Sequence, residues 1–116
     1  MSDEKRRAVR LSPFVVACRV VQDGQAVPGF ITELSELGAR VTCDDTCPPK
    51  GARVVIEVKL SRRALQSSSL SAMVVWTGRA ARGPAFGVEF DQLTPAQAAA
   101  LASAVDEFRR LAEKLT

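Results

Sequence analysis

The sequence predicts an all-β fold with a C-terminal helix, its strands arranged as a closed antiparallel barrel or a sandwich. Three observations carry this. Short runs of alternating apolar and polar residues recur up to Phe90, separated by clusters of Gly, Pro, Asp and Ser. After Thr94 the apolar spacing lengthens from two residues to three or four. At 116 residues, 47% hydrophobic and 25% charged, the chain fits one domain that buries its own core without disulfides or metals. Of the two arrangements, barrel closure has the advantage of leaving no unpaired strand edge.

The first strand is read from Phe14 to Val21, and Asp23-Gly24 follows as a hairpin turn. A second strand from about Pro28 to Leu34 sets Phe30, Thr32 and Leu34 against Ile31, Glu33 and Ser35. Gly38 breaks the pattern, and Ala39, Val41 and Cys43 alternate with Arg40 and Thr42 in a third strand. Asp44 to Gly51, with Pro48-Pro49 inside it, is a loop. From Arg53 to Leu60, Val54, Ile56, Val58 and Leu60 share one face while Glu57 and Lys59 take the other. Ser61 to Ser69 is read as a solvent loop, although Arg62 to Leu65 has the composition of a helical turn. Leu70, Ala72, Val74 and Trp76 then share one face of a fifth strand, which makes Trp76 a core or rim residue. Gly78 to Pro84 reads as a basic turn carrying Arg79 and Arg82, and Phe86, Val88 and Phe90 alternate with Gly87 and Glu89 in a sixth strand.

The helix, residues 94–115, announces itself locally. Thr94, Pro95 and Gln97 supply an N-cap, a first-position Pro and the third-position partner of a capping box. Leu101, Val105, Phe108, Leu111 and Leu115 form one apolar stripe, with Asp106, Glu107, Arg109, Arg110 and Lys114 mostly off it. The stripe is expected to pack on the strands; dimerisation or partner binding is the alternative use.

Composition narrows function. No apolar run is long enough to span a bilayer, and Arg6, Arg7 and Arg10 are not followed by a signal-like apolar stretch. A cytoplasmic protein without membrane insertion is therefore expected. Cys18, Cys43 and Cys47 are an odd set, expected as reduced thiols. A zinc clip through Cys43 and Cys47 would need Cys18 and a carboxylate, so no metal site is assigned. The chain has no His, which removes His-dependent triads and general bases; with no nucleophile–base constellation in view, it is read as a non-enzyme without a cofactor. The net charge is +3, and Lys5, Arg6, Arg7 and Arg10 make a cationic cluster suited to a phosphate-bearing ligand, where the plainer reading is a solvated tail. With no Tyr and 5% aromatic residues, the chain has few platforms for stacking nucleic-acid bases, and no DNA or RNA partner is expected.

Two motifs carry chemistry. Arg6-Arg7-Ala8-Val9-Arg10 is an RxxxR step, and Glu33-Leu34-Ser35-Glu36-Leu37-Gly38 is an acid-x-Ser-x-x-Gly turn. The guanidinium fork binds phosphate in bidentate fashion, matches the O6/N7 edge of guanine and stacks on bases. On a strand ending in a turn, Glu33 and Ser35 point to one face. There a carboxylate accepts from guanine N1–H and N2–H₂, and a hydroxyl bonds a phosphate or base edge. Gly38 is expected to allow an unusual φ and a close backbone approach.

Together, and in this order, these motifs resemble the PilZ domain, the bacterial receptor module for cyclic di-GMP. Met73-Val74-Val75-Trp76 and Phe86-Gly87-Val88-Glu89-Phe90 are similar to the late strands of that family. The resemblance implies a six-stranded antiparallel β-barrel with a C-terminal helix, one domain over residues 1–116: a flexible Arg-rich ligand segment (1–11), the barrel (12–91) and the helix (94–115). It implies that Arg6, Arg10, Glu33, Ser35 and Gly38 bind cyclic di-GMP, with Arg7, Arg40 and Trp76 as accessory residues. Glu33 departs from the family's Asp or Asn and matches by charge. Ligand is expected to order the Arg segment and so regulate an unidentified protein effector, the domain acting as a monomer or homodimer in motility, surface behaviour or exopolysaccharide control. The alternative is a PilZ-like interaction adaptor that Glu33 has made blind to the nucleotide.

Overall fold

The computed structural model describes residues 16–115 except 45, 62 and 82, with side chains of the helix described through Arg110. Arg6, Arg7, Arg10, Phe14 and Arg82 lie outside the described residues. Six strands precede one helix: β1 (Val16–Gln22), β2 (Gln25–Leu34), β3 (Gly38–Thr42), β4 (Arg53–Val58), β5 (Ser68–Ala80), β6 (Gly83–Phe90) and α1 (Pro95–Leu115). The strands close as a barrel in the order β1-β2-β3-β6-β5-β4, with every neighbouring pair antiparallel and β4 returning to β1. The open sandwich is thereby excluded.

Local chemistry explains the strand ends. Asp23 (φ 52) and Gly24 (φ 80) both take left-handed backbone, the type I′ geometry whose twist matches a tight hairpin. That turn carries the ladder from Gln22↔Gln25 to Val16↔Ile31, so β2 begins before the expected Pro28 even though Gln25 to Val27 are exposed and show no alternation. The expected basic turn from Gly78 to Pro84 is mostly strand: Gly78↔Ala85, Arg79↔Pro84 and Ala80↔Gly83 continue the β5–β6 ladder. Gly83 takes a φ of 130 that other residues avoid, and the Pro84 carbonyl accepts from Cys43 N at 3.1 Å. β4 ends at Val58, yet Leu60 remains buried beyond it, as its place in the alternation implied.

The inward residues of the six strands form one core, with Val20, Val41, Ile56, Leu70, Val74 and Phe86 fully buried. Cys18 and Cys43 belong to that core as free thiols. Burial pushes Cys18 up to about 12 and Cys43 up to about 11, the latter also through Cys47 and Asp44. The capping box of α1 forms as read: Gln97 N donates to Thr94 Oγ1 (3.1 Å) and Thr94 N to Gln97 Oε1 (3.0 Å). Gln97 Nε2 also donates to the Ser69 carbonyl at 2.8 Å, tying the start of the helix to β5. Leu101, Ala104 and Val105 are buried in the barrel's core cluster and Phe108 is half-buried. The side chains of Leu111 and Leu115 lie outside the described residues. No helix among the described residues is long and apolar enough to cross a membrane.

Candidate functional site

Two β-bulges shape the outer surface of β2, β3, β6 and β5. In the β2–β3 ladder, Ile31↔Val41 is followed by Glu33↔Arg40 and Leu34↔Ala39. Thr32 is the extra residue, and its hydroxyl donates to the Arg40 carbonyl at 3.4 Å. In an unbroken ladder Glu33 would oppose Ala39 on the core side; one inserted residue reverses the faces that follow. Ile31, before the bulge, is buried, whereas after it Glu33 comes to the outside beside Arg40 and Leu34 packs against the core. This corrects the single alternation read across Phe30, Thr32 and Leu34.

The second bulge lies in β5. Val74↔Val88 is followed by Trp76↔Gly87, leaving Val75 unpaired between them. Without it Trp76 would oppose Phe86 and point inward with Leu70, Ala72 and Val74, as the alternation predicts. Instead it stands on the outer face, 39% exposed. Because Arg40 also pairs with Gly87, the residues Glu33, Arg40, Gly87 and Trp76 form one row across four strands. Gly87 puts no side chain between its neighbours. Arg40 reaches across it to lie over the indole, Cζ 4.8 Å from the ring centroid, while Arg40 Nη1 stands 3.6 Å from Glu33 Oε2. The indole runs on over Gly78, where a Cβ would come within 2.6 Å of Cζ2.

The turn after β2 is held by its own serine. Ser35 N donates to the Gly38 carbonyl (2.9 Å), and Ser35 Oγ accepts from Leu37 N (3.2 Å) and Gly38 N (3.1 Å). Ser35 Oγ also donates to the Gly38 carbonyl at 3.3 Å. The hydroxyl is thus first a cap for the turn, yet remains on its exposed side. Gly38 is glycine for a reason the sequence does not display. Its φ is not among the left-handed ones, but a Cβ there would sit 2.0 Å from the Val88 carbonyl oxygen of β6. Close approach holds, with the neighbouring strand rather than the turn as its cause.

These features border an open pocket of about 470 Å³ lined by Glu33, Leu34, Ser35, Leu37, Gly38, Ala39, Arg40, Trp76, Gly87, Val88 and Glu89. Such a volume falls within the range of small-molecule sites. Every expected site residue within the described part of the chain is at this pocket, and so are the accessory Arg40 and Trp76. Leu37, 79% exposed at the turn, and Glu89, the partner of Gly38 in the ladder, are additions that sequence reasoning misses. An apolar residue in an otherwise polar turn is the available signal for Leu37; Glu89 has none, since only the β3–β6 pairing brings it there. The pocket offers two carboxylates to N–H donors, one guanidinium to an anion or base edge, and an indole for stacking.

The PilZ domain family model matches residues 4–107. Among solved structures, the chain is similar to the PilZ domain with c-di-GMP of YcgR from Escherichia coli, at 17% identity over 90% of this chain and 88% of that one, with a TM-score of 0.71. It is also similar to the Bacillus subtilis inhibitor of motility MotI/DgrA (14% identity, 84% of this chain, 48% of that one, TM-score 0.69). A third likeness is to YcgR in complex with c-di-GMP from Escherichia coli (17% identity, 89% and 45%, TM-score 0.70). The chain spans about half the length of the latter two, and at these identities the likeness is one of fold. No curated protein matches it.

Proposed function

Because the chain belongs to the PilZ domain family, we propose that it is a non-enzymatic receptor for cyclic di-GMP, with the open pocket on β2, β3, β6 and β5 as the binding site. One observation carries the reading: the bulges and the Ser35 turn gather Glu33, Ser35, Gly38, Arg40 and Trp76 around a single open pocket. Their chemistry suits a ligand with guanine N–H donors, guanine acceptor edges and two phosphodiester charges. Glu33 takes the donors, Ser35 redirects to the ligand the 3.3 Å hydroxyl donation that it makes to the Gly38 carbonyl, which also accepts from Ser35 N, and Gly38 lets β3 lie close against β6 at the pocket's edge. Arg6 and Arg10 supply the guanine acceptor-edge and phosphate contacts from the N-terminal side, with Arg7 adding charge. Two of the similar structures, both of E. coli YcgR, are complexes with c-di-GMP, which supports the same ligand class here.

Binding draws the segment carrying Arg6 and Arg10 onto the barrel and so presents a changed surface to a protein effector in the cytoplasm. The similar B. subtilis protein is an inhibitor of motility, which makes motility the first process to examine. Calorimetric titration with cyclic di-GMP tests the reading. Saturable binding by the native chain, lost in Arg10→Ala, is the expected result. No binding by the native chain, with binding by Glu33→Asp, would overturn it in favour of a nucleotide-blind adaptor.

A further inference from the structure

The binding groups of the pocket are already engaged with one another. Arg40 lies over the indole of Trp76 at 4.8 Å and stands 3.6 Å from the Glu33 carboxylate. We propose that Arg40 is an internal stand-in for a guanine base: in the free protein its guanidinium occupies both the stacking face of Trp76 and the carboxylate of Glu33, and the ligand enters by exchanging with it. This exchange rests on reading the pocket as a cyclic di-GMP site, and it deepens that reading by assigning Glu33, Arg40 and Trp76 one linked role.

The chemical likeness is specific. The donor edge of guanine, N1–H through C2 to N2–H₂, is itself a planar N–C–N donor fork, the same unit that a guanidinium presents. A carboxylate that accepts from one accepts from the other, and an indole face that attracts an Arg plane also stacks a base. Arg40 thus satisfies in one side chain the two demands that a guanine makes on this wall of the pocket. The row is cleared for such an occupant. Gly87 leaves the space between Arg40 and Trp76 free of side chains, and Gly78 lets the indole lie along β5.

The engagement is also loose enough to exchange. The Glu33–Arg40 separation of 3.6 Å exceeds that of a charge-assisted hydrogen bond, and the two side chains are 34% and 42% exposed, so water screens the pair. Glu33, one methylene longer than Asp, has the reach to tether Arg40 across the strands. When a guanine takes the indole face and the carboxylate, Arg40 is released beside a ligand that carries phosphodiester charge. It then binds that phosphate, its charge conserved within the site.

Trp76 is the single tryptophan of the chain, so intrinsic fluorescence reads this contact directly. In the ligand-free protein, Arg40→Ala removes the side chain that lies over Trp76 and uncovers one face of the ring. Acrylamide quenching of Trp76 should then rise about twofold, with a smaller rise in Glu33→Gln, where Arg40 remains but its tether is neutral. Added to the native chain, cyclic di-GMP should reduce Trp76 emission by about half or more as a guanine replaces Arg40 on the ring. Quenching in both variants equal to that of the native protein overturns the stand-in. Calorimetric binding with unchanged Trp76 emission overturns the exchange alone and leaves the receptor intact. Calorimetric silence of the native chain overturns the receptor reading and the exchange with it.

Discussion

Gly38 and Gly78 are both confined by contact, but against neighbours of different stiffness. A Cβ on Gly38 meets the Val88 carbonyl at 2.0 Å, and backbone paired on both sides, with β3 and with β5, cannot yield without disturbing that pairing. Gly38→Ala is expected to lower stability by about 3 kcal/mol, the upper end of overpacking costs, measured by urea unfolding. A Cβ on Gly78 meets only the far edge of the Trp76 indole, which can swing outward. Gly78→Ala is therefore expected to leave stability within about 1 kcal/mol of the native value while altering Trp76 emission. Ser35 and Gly38 are legible in the sequence as residue types at a fixed spacing, because a turn makes local demands. The atom that forces glycine at position 38 is not legible there, since it belongs to a strand far along the chain.

At the scale of elements, what the sequence displays is what is local. The Thr94–Gln97 box needs only four consecutive residues and forms as read. The six strands follow from their alternation. The bulges at Thr32 and Val75 are invisible, because an inserted residue looks like any other member of a period-two pattern until the partner strand is known. They decide which face Glu33 and Trp76 occupy, so the site is legible in its parts but not in its assembly. Arg40 and Trp76 belong to different strands, and nothing in their spacing signals that they touch. Deletion of Val75 tests the point. The shortened strand would then run without interruption from Val74↔Val88 to Trp76↔Gly87, so the bulge is removed while Trp76 keeps its place on the outer face. The expected outcome is an unshifted Trp76 emission with stability in urea unfolding changed by no more than about 1–3 kcal/mol; a blue shift would mean that Val75 is not the inserted residue.

At the scale of the whole molecule, the buried thiols couple the core to pH. Their ordinary value is 9.0, whereas burial holds Cys18 at about 12 and Cys43 at about 11 in the folded state. Below pH 9 both states keep these protons and the full stability is present. Above it the unfolded chain loses them first, so stability falls as pH rises, by about 1.4 kcal/mol per pH unit for each thiol. The fall should continue to about 11 for Cys43 and about 12 for Cys18. Urea midpoints followed from about pH 8 to about pH 10.5 are expected to decline, and Cys18→Ala should flatten the decline. The closure of the barrel has a different consequence. β1 meets β4 through three residue pairs, Arg19↔Glu57, Val20↔Ile56 and Val21↔Val55, with one surface ion pair of 3.7 Å alongside. This is the shortest ladder among the described residues, and it lies outside the four strands that carry the Glu33–Trp76 row. The can therefore closes on its shortest seam, and that seam is on the side away from the pocket. When the native state breathes, amide protons along the β1–β4 seam should exchange with solvent first, ahead of those in the four strands that border the pocket.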